Sequence, residues 1–291
     1  MTPPRLTHYL DFRRYLKDWL AYKKHIDPSY SHGVFGKASG LARSTLHNVL
    51  YDGRTPKPET LDKFARAIGL CPSERMHLGL LVELNTASSI EQRRQIVRKI
   101  TEQPQTGHSE WIEDRPDVFE IYLSRWYYPV VRELARHPSF RADPRWLART
   151  LVPAVTEEEA AEALQTLQDL SLLDLRDGKV EVRSLRVQTR PDTEARASAE
   201  FHKRMVPAIL DRMEDVPAEL RHLMATVVSL PTELLPEVKL RIVRLIQQIS
   251  DLADDPAAEE RRAYQLAVQL IPVSRALVFN RASRSEETPK A

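Results

Sequence analysis

Residues 31–70 read SHGVFGKASGLARSTLHNVLYDGRTPKPETLDKFARAIGL, and the organisation of the chain follows from this stretch. Three short helical patterns lie at 32–39, 43–51 and 58–68. Gly40, Gly53 and Gly69 follow them, where helix ends favour a left-handed residue. A helix-turn-helix needs a turn residue that accepts positive φ, and Gly40 supplies it. Small residues are needed where the two helices cross, and Gly36 and Ala38 stand just before the turn. Leu46, Val49 and Leu50 provide buried anchors for the second helix. Its other faces carry Arg43, Ser44, Thr45, His47 and Asn48, types that reach base edges in the major groove: Arg to guanine, Asn to adenine, the Thr methyl to thymine. Lys37, Arg43, Arg54, Lys57 and Lys63 lie on or beside the motif, and such cations contribute the sequence-independent, salt-dependent part of DNA affinity.

These residues resemble the helix-turn-helix of the Cro/lambda-repressor superfamily. There a Gln opens the first helix, an Ala packs the crossing, and Gly with an aliphatic residue makes the turn. Here the corresponding residues are His32, Gly36 and Gly40-Leu41. Residues 43–48 match the recognition segment, and 60–70, TLDKFARAIGL, match the last helix of that family closely. His32 replaces the phosphate-contacting Gln, Ala42 replaces the usual Ser/Thr cap, and the segment before Gly53 is longer by about one residue. The resemblance implies DNA binding, with Arg43, Ser44, Thr45, His47 and Asn48 at bases and His32, Lys37, Arg54 and Lys57 at phosphates. The wider chain resembles a little-characterised family of predicted bacterial regulators that join such a motif to a C-terminal domain of unknown function. That likeness runs through Tyr9-Leu10-Asp11-Phe12-Arg13, Trp126-Tyr127-Tyr128-Pro129, 140–146 and 264–274. It implies a transcriptional regulator and identifies no effector ligand.

Charge supports a division of labour. Residues 1–100 hold 17 Lys+Arg and 9 Asp+Glu, a balance of +8, while the remaining 26 and 32 leave the rest at −6. A basic head on an acidic body fits a polyanion partner for the head alone. The 291 residues, 42% hydrophobic and 29% charged, have an ordinary globular balance. No GxGxxG or GxxxxGK[ST] occurs, which disfavours the usual nucleotide-binding loops. The nine histidines are scattered without HExxH, no GxSxG is present, and the acidic run 251–260 lacks EF-hand spacing. No catalytic residue, metal or cofactor is therefore expected. Cys71 stands alone and reads as a small buried apolar residue. No apolar run reaches signal-peptide or membrane-spanning length, so a cytoplasmic protein is expected.

The expected fold class is mainly α with a smaller α/β part. Helices at 9–24, 32–39, 43–51, 58–68 and 73–84 make a five-helix DNA-binding domain, closed by a further helix at 89–101 with Ser88 and Glu91 as a capping box. This domain spans 1–101, and 102–109 read as a linker. Residues 110–190 form a helical and winged-helix-like region. It holds an aromatic helical stretch at 114–137 broken at Pro129, helices at 144–151 and 157–171, and strands at 172–176 and 179–185 joined by Asp177-Gly178. Its candidate recognition helix carries Glu157, Glu158, Glu159, Glu162 and Asp169 and no Lys or Arg. Phosphates would repel it, so this winged helix reads as degenerate, serving packing or dimerisation. Residues 191–280 read as a dimerisation or sensing module: a helix at 193–213, then strand 223–230, helix 236–252 and strand 263–271. The tail 281–291 reads as disordered. The expected function is sequence-specific regulation by a homodimer on double-stranded DNA. The alternative is a protein-interaction scaffold whose helix-turn-helix docks a protein.

Overall fold

The structure, a computed structural model, describes residues 3–103, 116–176, 179–182, 196–211, 213–253 and 260–275. A 3-10 turn at Leu6–His8 leads to Asp11, whose carboxylate accepts the backbone N–H groups of Arg13 (2.8 Å) and Arg14 (3.1 Å). That cap starts helix α1, Phe12–Ile26, three residues later than the apolar spacing alone implies. Helices α2 (His32–Ser39), α3 (Arg43–Leu50), α4 (Pro58–Ile68), α5 (Pro72–Thr86) and α6 (Ile90–Glu102) follow. The cap of α6 is Ser89, which accepts from Gln92 N, and not Ser88. Cys71 is exposed and lies at the start of α5, where Glu74 accepts its backbone N–H at 2.8 Å; the expectation of a buried cysteine is corrected. The hydroxyl of Ser73, 3.1 Å from the thiol, adds to its polar setting.

Phe12, Tyr15, Leu16, Phe35, Leu46, Phe64, Leu78 and Leu81 form the heart of the first core. Trp19 sits edge-on to Phe35 (5.6 Å between centroids) and to Tyr30 (5.9 Å), bracing α1 against α2.

A second core is built from α7 (Pro116–Tyr122), α8 (Tyr127–Leu134), α9 (Pro144–Thr150), α10 (Glu157–Asp169) and the antiparallel strands β1 (Leu173–Arg176) and β2 (Lys179–Val182). The chain breaks at residues 123–126, not at Pro129. Pro129 lies in the first turn of α8, where its missing N–H costs no helical hydrogen bond. A capping box of Thr156 and Glu159 starts α10 with reciprocal bonds of 3.1 and 2.8 Å. The strands pair with Arg176 opposite Lys179, the register of a two-residue hairpin. The helix–helix–hairpin order is therefore present. Glu157, Glu158, Glu162 and Asp169 are exposed along α10.

Helix α11, Arg196–Leu210, places Phe201 against this second core, and Arg204 donates to the carbonyl of Ser124 at 2.8 Å. The last helix, α12 (Leu235–Ala253), docks elsewhere. Leu240 joins the first core, Arg93 of α6 makes a two-pronged ion pair with Glu237 (2.6 and 2.9 Å), and Gln248 donates to the His8 carbonyl (2.7 Å). The His8 ring also pairs with Asp251. Hydrogen bonds from Arg93 hold the Glu237 carboxyl below its ordinary pKa.

The mainly helical class with a small sheet is present, and β1–β2 is the one sheet among the described residues. The strand–helix–strand module is corrected. Its helix exists as α12, but 223–230 and 263–271 form no ladder among the described residues. Alternation marks a strand only where a neighbour supplies backbone partners, and neither segment has one among the described residues. Of the expected linker at 102–109, Glu102 ends α6 and Gln103 follows it as the cap, while 104–109 and the expected tail at 281–291 lie outside the described residues.

Arg244 of α12 is buried, donates to Gln247 at 2.7 Å, and faces no carboxylate among the described residues; burial lowers its pKa to about 10. Two opposite outcomes follow for α12. Glu237→Ala strips Arg93 of its partner and is expected to lower the unfolding free energy by about 1.5–3 kcal/mol in urea titration. Arg244→Met removes a desolvated cation and is expected to be neutral or stabilising in the same titration.

Candidate nucleic-acid interface

Helix α3 is aimed by its crossing with α2. A Cβ at Gly36 would lie 2.9 Å from the Leu41 carbonyl oxygen and 3.6 Å from Arg43 N, so only glycine permits this approach. Gly40 takes φ +64°, and the turn closes with Leu41 N donating to Gly36 O (2.9 Å) and Gly40 N to Lys37 O (3.1 Å). That pair of bonds is the Schellman arrangement of a helix ending in a left-handed residue. Ala38 is exposed and takes no part in the crossing.

Leu46, Val49 and Leu50 turn inward, each 2% exposed or less. The opposite side of α3 presents Arg43, Ser44 and His47 as exposed side chains, with Thr45 and Asn48 half-buried beside them. Lys37, Arg54 and Lys57 are exposed around this face, and His32 is half-buried at its edge. The sequence-predicted residues thus gather on one side of the N-terminal domain. Burial, then the charges of Arg43 and His47, keep the His32 imidazole below its ordinary pKa.

Asn48 is less available than its position implies. With its amide oriented to suit its neighbours, the nitrogen donates to Ser44 O (2.9 Å) and Asp52 Oδ2 (3.0 Å). Its backbone carbonyl accepts from Asp52 N (3.2 Å) and Arg54 N (3.1 Å), which shapes the loop after α3.

Three residues on this face escaped the sequence reading. Tyr51 is 53% exposed, with His32 stacked at 6.2 Å, His47 tilted at 5.0 Å and the Lys17 ammonium 4.7 Å from its ring centre. Arg13 reaches across from α1 to donate to Val49 O (2.9 Å), Gly53 O (2.9 Å) and Arg54 O (3.3 Å), clamping the end of α3 and the following loop. Lys17 and Arg13 belong to α1, which precedes the motif, and lie 26 and 30 residues before Arg43, so no local pattern points to them. An exposed tyrosine one residue past the end of α3 was a signal that spacing rules for buried positions discard.

Among the described residues, no helix is long and apolar enough to cross a membrane, and no cluster of His, Cys, Asp and Glu could hold a metal ion. Residues 104–273 match the model of a family described as a domain of unknown function, DUF4423. This chain belongs to the DUF4423 family. The matched region takes in α7 to α12 with β1 and β2, and the helices that build the α3 face precede it. No curated protein and no solved structure matches the chain.

One local defect in this DUF4423 chain is open to test. Ala42 occupies the cap of α3 with φ −63° and ψ 143°, and its side chain can accept no hydrogen bond. Ser at this backbone conformation would satisfy an N–H of the first turn. Ala42→Ser is therefore expected to raise the unfolding free energy by about 0.5–2 kcal/mol in chemical denaturation.

Proposed function

We propose that this protein is a sequence-specific DNA-binding transcriptional regulator, with α3 read into the major groove and two copies acting together on paired half-sites. The observation that carries the reading is the α3 face. Arg43, Ser44 and His47, the last beside Asp52 (3.5 Å) and Tyr51, project as exposed polar side chains from a helix whose other side is locked into the core, and the exposed cations Lys37, Arg54 and Lys57 surround them. Such an arrangement combines groups able to read base edges with groups able to seat on phosphates.

Within this reading, Arg43 contacts guanine edges, Ser44, Thr45 and His47 contact neighbouring bases, and Asn48 acts chiefly by shaping the loop. His32 donates an N–H to a phosphate. Arg13 positions the end of α3. The exposed acidic side of α10 leaves the winged-helix-like region off the DNA, because phosphates repel it. The regulator acts in the bacterial cytoplasm and needs no cofactor. The family match is compatible with this reading and does not itself speak to DNA.

The test is selection from a randomised duplex library with the purified full chain, followed by titration at several salt concentrations. Wild type is expected to enrich one motif, and the logarithm of its affinity to fall linearly with the logarithm of salt. Arg43→Ala combined with His47→Ala is expected to lose the enriched motif, with circular dichroism unchanged. Lys57→Ala should weaken binding evenly across sequences and reduce the salt slope by about 1. Absence of binding to any duplex at low salt would overturn the reading in favour of a protein-docking module.

A further inference from the structure

Two stretches without a single charge flank α12. Residues 223–231 read LMATVVSLP and residues 263–273 read AYQLAVQLIPV, in a chain that is 29% charged. Both lie open to solvent in the single chain. Met224 is 86% exposed, Val227 85%, Tyr264 67% and Leu266 50%. The second stretch alternates Tyr264, Leu266, Val268 and Leu270 with Gln265, Ala267 and Gln269, the period of a strand with one apolar face. Neither stretch has a backbone ladder among the described residues. Leu245, Ile249 and Leu252 of α12 are exposed as well, while polar Glu237, Arg244 and Gln247 on the same helix are buried. The Oε1 of Gln265 and an Nη of Arg221, at these stretches, are shut from water without a hydrogen-bond partner.

We propose that 223–230 and 263–271 are the strands of an intermolecular sheet, formed with the same segments of a second copy of this chain. Fourteen large apolar side chains stand exposed on the two segments and α12. At roughly 60–120 Å² apiece their burial amounts to on the order of 1,000 Å² per copy. A stable interface of standard size needs about 800 Å² per partner. The occupant is a second copy because each chain offers two unpaired strands and a two-fold axis closes them into four. That number gives independent stability, which an isolated hairpin lacks. The absence of charge means that two identical surfaces meet without like-charge repulsion. Pairing also removes two open apolar edges that would otherwise template aggregation.

This deepens the dimer part of the proposed function, and its geometric consequence depends on the DNA reading. The proposed sheet emerges at both ends of α12, which is pinned to the α3-bearing domain through Leu240 and the Arg93–Glu237 pair. An interface there couples the two copies of α3 at a set separation, as paired half-sites require.

The test needs no DNA. Light scattering after size exclusion, on the full chain at tens of micromolar, is expected to give twice the chain mass of 33.5 kDa. Hydrogen exchange should find the amides of 223–230 and 263–271 protected. Val227→Glu combined with Leu266→Glu alters two exposed side chains of the single chain, and is expected to yield monomers that keep the helical circular dichroism, lose the β contribution of the sheet and exchange fast in both segments. Met76→Glu, an exposed apolar position of the N-terminal domain, should remain dimeric. A monomeric wild type, a double variant that stays dimeric, or a dimer whose two segments exchange as fast as unpaired chain would each overturn the proposal. Loss of DNA binding with the dimer intact would fault the DNA reading and leave this one standing.

Discussion

The approach of α3 to α2 at Gly36 is the constraint on which the N-terminal domain depends. The Gly36 carbonyl accepts both Leu41 N and the Ser39 hydroxyl, while the missing Cβ lets the Leu41 carbonyl come within a distance no side chain allows. With the turn so tight, α3 can leave only in one direction, and Leu46, Val49 and Leu50 then fall onto the core formed by Phe12, Phe35 and Phe64. Everything polar on α3 is displayed as a consequence. Arg13 completes the arrangement from the far side by tying three carbonyls at the end of α3 and in its loop to α1.

The chain closes on itself in an order that its linear layout does not imply. The second core runs from α7 to β2 and takes in Phe201 of α11, with Ala160, Ala163, Leu164 and Leu167 of α10 packed against α8, α9 and β1. Helix α12 then returns to α6 and the turn at Leu6–His8. Its attachment is unusually polar. Arg93, Glu237, Gln248, His8 and Asp251 do much of the joining, and Arg244 is buried beside them without a carboxylate among the described residues. Such contacts depend on geometry more than on apolar area, which suits a helix that turns Leu245, Ile249 and Leu252 outward.

Much of this was legible from local signals. Gly40 and Gly69 sit at positive φ after their helices, the box at Thr156 and Glu159 caps α10, and Arg176 faces Lys179 across the hairpin. Each is encoded within a few residues by steric or hydrogen-bonding preference. The misses have a common cause in competition. Ser89 took the cap in place of its neighbour Ser88, Cys71 went to an exposed helix start although its type is usually buried, and Pro129 fitted a first turn where it does no harm.

The segments at 223–230 and 263–271 mark the limit of pattern. Alternation identifies residues suited to a strand, but a strand exists only through a neighbour's N–H and C=O groups, and its own chain provides none among the described residues. The α3 face divides in the same way. Sequence alone determined which side chains α3 carries, where it starts and which of its residues face inward, because helical period and glycine sterics act locally. Only the tertiary structure decided that Tyr51, Lys17 and Arg13 join that face, that Asn48 is turned to Ser44 and Asp52, and that α12 returns to α6. Those outcomes rest on contacts between residues far apart in the chain, whose partners no local rule can name.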